Sequence, residues 1–76
     1  MNNKRRSEIS TAISHLQTAH DILDNARDDE QEAMDNMPES MQDSDRFYHM
    51  EESVDILDNA VDGIGSVLTE LEDFIF

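Results

Sequence analysis

The chain has 76 residues, 37% of them hydrophobic, with 19 acidic against 5 basic side chains and a formal net charge of -14. That length allows one small domain whose core is marginal unless something staples or pairs it, and the absence of cysteine excludes disulfides and thiolate metal sites. An acidic excess of this size repels nucleic acid and anionic lipid and attracts basic protein surfaces, so no direct nucleic-acid or membrane binding is expected.

Charge is unevenly placed. Lys4, Arg5 and Arg6 hold most of the positive charge; from Ser7 onward nineteen carboxylates face only Arg27 and Arg46, and fifteen of them lie between Asp21 and Asp62. The basic start is not followed by the apolar run of a secretory signal, and no stretch reaches membrane-spanning length. A cytoplasmic protein is therefore expected.

In chain order, Ser7 with Glu8 behind it reads as the start of a first helix, a capping hydroxyl followed by a carboxylate at the positive end of the helix dipole. Ile9, Leu16, Leu23 and Met37 keep a seven-residue period broken at Glu30. Ala12, Ala19, Ala26 and Ala33 keep a second one unbroken, and Ile13, His20, Arg27 and Met34 form a mixed third column. Four alanines in one column allow close approach, so this column is expected to face the second helix. Pro38, which lacks an amide proton and biases Met37 away from helical angles, ends the first helix at residue 37. Residues 38–43 form the linker, with room for a short helical turn.

Ser44 and Asp45 start the second helix, expected over 44–74. Phe47, Met50, Val54, Leu57, Val61, Ile64, Leu68, Leu71 and Ile75 recur at alternating spacings of four and three, a continuous heptad seam. Ser53, Ala60, Val67 and Phe74 widen it beyond what one partner helix covers. Gly63 and Gly65 each weaken the helix by about 1 kcal/mol relative to alanine. Because the heptad runs through them, they suggest a bend or a close backbone approach.

An internal echo relates the two helices. Asp21-Ile22-Leu23-Asp24-Asn25-Ala26 recurs 34 residues later as Asp55-Ile56-Leu57-Asp58-Asn59-Ala60, and the same offset places Ile13 on Phe47 and Met34 on Leu68. His20, Arg27 and Glu30 fall on Val54, Val61 and Ile64, and these polar residues are expected at the edge of the seam. The fold expected is all-α, an antiparallel two-helix hairpin with coiled-coil-like packing. The seam of Val54, Leu57, Val61, Ile64, Leu68, Leu71, Phe74 and Ile75, with the apolar end Phe74-Ile75-Phe76, further suggests a homo-oligomer, most simply a four-helix bundle.

Chemistry is scarce. His15 and His20 lie five apart and do not share a helix face, so a metal site is not expected. The carboxylates near Asp43 and Asp45 lack the central glycine of a calcium loop, and Val54 stands at its twelfth position. No nucleophile motif or phosphate loop is present; neither catalysis nor a cofactor is expected. The carboxylate rows are the strongest signal. Asp21, Asp24 and Asp28, repeated as Asp55, Asp58 and Asp62, put charges one helical turn apart, about 5–6 Å, a spacing like that of phosphates along a nucleic-acid strand. A solvated face chosen for solubility is the competing reading, weakened by the near absence of interleaved Lys and Arg.

The linker, from Glu30 through Asp35-Asn36-Met37-Pro38-Glu39-Ser40 to Arg46, followed by Met50-Glu51-Glu52, resembles small acidic helical-hairpin proteins of unknown function from bacteriophages and mobile elements of bacteria. That resemblance implies a host-cell cytoplasmic setting and inhibition of a basic nucleic-acid-binding or defence protein. The apolar end of this chain departs from the acidic repeats such proteins carry.

Overall fold

Residues 1–75 are described by a computed structural model; Phe76, part of the apolar end noted above, lies outside the described residues. Two helices, α1 (Asn3–Asp35) and α2 (Asp45–Ile75), pack antiparallel, and the link between them contains a short 3-10 turn at Glu39–Met41. There is no strand among the described residues.

Local chemistry sets the ends. Asn2, extended at φ -83 and ψ 170, accepts the Arg5 amide on its side-chain oxygen at 2.8 Å. The helix therefore begins at Asn3 and not at Ser7: Asn2 is an equally good cap, and nothing between it and Ser7 resists helical angles. At the other end the Asn36 and Met37 amides bond back to the Glu32 and Met34 carbonyls. The helix closes at Asp35, two residues before the expected 37. Pro38, at ψ 142, leads out of that end, and its carbonyl accepts the Met41 amide at 2.8 Å. Ser44 then caps α2, its hydroxyl accepting the Phe47 amide at 3.3 Å while donating to the Met41 carbonyl at 2.6 Å.

The contact between the helices uses a seam from each. On α2 all nine expected heptad positions from Phe47 to Ile75 are at least half-covered. On α1 and its immediate extension the matching seam is Ile9, Ile13, Leu16, His20, Leu23, Arg27, Glu30, Met34 and Met37. This corrects two expectations. The alanine column borders the packing column and does not form it: Ala12 and Ala33 are exposed, and Ala19 and Ala26 are half-buried beside it. His20, Arg27 and Glu30 stand in the seam register itself and not at its edge. A heptad count supplies columns of equal period but not their phase, and the three polar residues concealed the column that actually packs.

Burial is thin. Ile13 and Val61 are the buried hydrophobic residues among those described, and the hairpin is a rod of 59 × 15 × 14 Å. Arg27 lies beside Asp58, His20 beside Gly65, and Gln17 donates to Glu72 at 3.0 Å. In this register residues 25–26 stand opposite residues 59–60, the equivalent positions of the 34-residue repeat. The hairpin thus has an approximate internal two-fold axis. α2 runs through both glycines without interruption. A methyl group at Gly65 would meet His20 Nε2 at 3.8 Å, an ordinary contact, and one at Gly63 would meet nothing within the hairpin.

Candidate acidic interaction face

The two-fold axis decides where the aspartates go. An axis perpendicular to the plane of two antiparallel helices exchanges the helices and keeps each face of the pair on its own side. Equivalent stripes therefore share one face. The contacts agree: Asp24 and Asp58, equivalent across the repeat, reach the same Arg27 guanidinium, Asp58 at 2.9 Å from Nη1 and Asp24 through Nη2. Asp28 accepts from Nε at 3.3 Å and from Nη2 at 3.2 Å. Three of the six stripe residues thus meet over one cation.

The remaining three are less engaged. Asp21 lies 3.5 Å from His20 Nδ1 with its carboxylate mostly in solvent. Asp55 and Asp62 are exposed and make no ion pair among the described residues. Asp62 borders a shallow open groove with His20, Val61, Gly65, Ser66 and Thr69. His15 and His49 are exposed, and no cluster of three metal-binding side chains occurs among the described residues.

Arg27 is the residue that sequence reasoning undervalued. Its side chain is 25% exposed because its aliphatic stem follows the seam while its head emerges among the aspartates. The hydrogen bond it donates to Asp58 chiefly raises its pKa above the ordinary arginine value, aided by Asp28 and the charge of Asp24 and opposed by partial desolvation. The signal was available: an arginine three residues after one aspartate and directly before another, on a helix whose other cations, Lys4, Arg5 and Arg6, all lie at its start. The stripes are consequently less bare than the composition suggests. The cation sits near the two-fold axis, with unpaired carboxylates to either side.

The residues read as an oligomer seam divide. Val54, Leu57, Val61, Ile64, Leu68, Leu71 and Ile75 line the contact between α1 and α2, and Val61 is among the most buried residues. Phe74 instead remains 70% exposed. It belongs to a separate flank, turned away from the aspartates, that also carries Ile22, Ile56 and Val67, all exposed. Among the described residues no helix is long and apolar enough to cross a membrane. Comparison with protein-family models, with curated proteins and with solved structures finds no match.

Proposed function

We propose that this protein is an acidic protein-interaction module, an inhibitor encoded by a phage or mobile element that presents nucleic-acid-like charge to a basic host or defence protein in the host cytoplasm. The observation that carries this reading is the gathering of Asp21, Asp24, Asp28, Asp55, Asp58 and Asp62 on one side of a preformed rod. Helical backbone is already ordered, so docking does not bear the cost of ordering a chain, and side-chain immobilisation costs about 0.5–1.5 kcal/mol each. Charge of one sign steers association with a basic groove and makes it fast and sensitive to salt. In this reading the chain self-associates into a four-helix bundle, uses no cofactor and performs no catalysis.

A second reading has its own support. The exposed flank of Ile22, Ile56, Val67 and Phe74 suits a structural or assembly accessory protein, held by apolar contacts, for which the aspartates serve solubility. Affinity purification from host lysate at low and high salt separates the two. Recovery of a nuclease or other DNA-binding protein, released by salt and displaced by DNA, supports the inhibitor. Recovery of only the chain itself or of virion proteins, unaffected by changing Asp55, Asp58 and Asp62 to Asn, rejects it.

A further inference from the structure

The geometry points to a second copy of this chain packed back to back on the flank that carries Ile22 and Ile56, leaving both acidic faces outward; this rests on the proposal above that the chain self-associates. Helical spacing places Ala19, Ile22, Ala26 and Ala33 on that flank of α1, and Ser53, Ile56, Ala60, Gly63, Val67 and Phe74 on that flank of α2. Ile22 and Ile56 are equivalent across the 34-residue repeat and are 61% and 59% exposed. The internal two-fold therefore presents the same apolar step twice on one surface, the patch that each copy would bring to an isologous contact.

Charge selects the orientation. With a net charge of -14 per chain, two copies meeting through their aspartates would repel at short range, where like charges cost most. The opposite flank is less charged: the ten residues just named are uncharged, and Glu8, Asp29 and Glu70 stand in the seven-residue columns of Ile22 and Gly63, against the six stripe aspartates of the other face. A pair joined there keeps the six stripe aspartates of one copy a full hairpin thickness away from those of the other. Gly63 supplies an independent sign. It weakens α2 and makes no contact inside the hairpin that a methyl group would disturb, which fits a position where a neighbouring backbone approaches closely. Among the described residues only Ile13 and Val61 form a buried core in the single chain. A covered flank supplies what so small a domain lacks.

The test uses the cysteine-free chain. Light scattering is expected to give twice the 8.7 kDa chain mass. The double variant Ile22→Glu, Ile56→Glu alters residues already in solvent in the single hairpin and is expected to give the mass of one chain. Under oxidation, Ala26→Cys, close to the two-fold axis on the apolar flank, is expected to link two chains, and Ser66→Cys, beside the aspartates, is expected not to. A wild-type mass of one chain overturns the pair and self-association together. A mass of two chains that persists in the double variant, with linkage through Ser66→Cys, overturns this face alone. If the double variant loses its helix signal, the two single-cysteine variants decide the matter.

Discussion

Arg27 of α1 and Val61 of α2 occupy equivalent positions of the 34-residue repeat and take opposite roles: Val61 is 6% exposed in the seam, and Arg27 extends out of the seam to join Asp24 to its equivalent, Asp58. One substitution within a duplicated pattern thus turns a core position into the electrostatic clasp of the acidic face. Without it the equivalent aspartates would face each other unneutralised across the helix contact.

Replacing Arg27 with Ala is accordingly expected to lower the thermal midpoint at low salt, and the loss should shrink as salt screens the aspartates. Circular dichroism melts at several salt concentrations check this. The pH dependence has a definite sign. Because the arginine pKa is raised in the folded chain, its contribution is fully present below the ordinary arginine value and is lost only as pH climbs through the raised one. Arg27 therefore stays charged across the neutral and mildly alkaline range, and the difference between wild type and variant should not change there. A difference equally large at every salt concentration would show that the lost aliphatic stem, and not the charge, was the stabilising part.

Where burial is this sparse, each buried side chain carries a large share. Ile13→Ala is expected to cost about 3 kcal/mol and Val61→Ala about 2 kcal/mol, from lost transfer energy plus the cavity left behind. For a domain whose total stability is on the order of 5 kcal/mol, either change should remove about half of the stability while leaving the chain folded in water. Urea titration reads this as a lower midpoint at unchanged slope. Losses below about 1 kcal/mol would mean that neither residue is held in a packed core.

The two helices were not equally legible in the sequence. α2 declared itself because every seam position is apolar, so period and phase coincide. α1 kept the period but hid the phase. His20, Arg27 and Glu30 interrupt its packing column, and the unbroken alanines lie on the neighbouring one. Long polar side chains can occupy a seam in a rod this thin because their tips reach solvent while their stems pack. The acidic stripes were legible as spacing. That both lie on one side, centred on Arg27, required the register of the two helices, which no local pattern contains.

Capping offers a check on the helix boundaries. Ser44→Ala removes the hydroxyl that accepts the Phe47 amide and is expected to cost about 1 kcal/mol. Ser7→Ala, on the exposed surface inside α1 and not at its start, should stay within about 0.5 kcal/mol. Chemical denaturation of the two variants distinguishes the boundary at Asn3 from one at Ser7. Equal losses would restore Ser7 as a cap.

The two glycines of α2 allow the environment of one flank to be compared with that of the other in the same helix. Alanine exceeds glycine in a helix interior by about 1 kcal/mol, and a methyl group at Gly65 would make only an ordinary contact with His20. Gly65→Ala should therefore raise stability by about that amount at any protein concentration. Gly63→Ala has open space around it in the single hairpin and should give the same gain when the chain is dilute. If a second copy approaches Gly63 closely, the added methyl group weakens the pair, and because paired chains dominate at higher concentration, the gain should fall as concentration rises. Thermal melts of both variants across a hundredfold concentration range test this. Equal gains at every concentration would show that nothing approaches Gly63, and the packed flank would have to lie elsewhere on the rod.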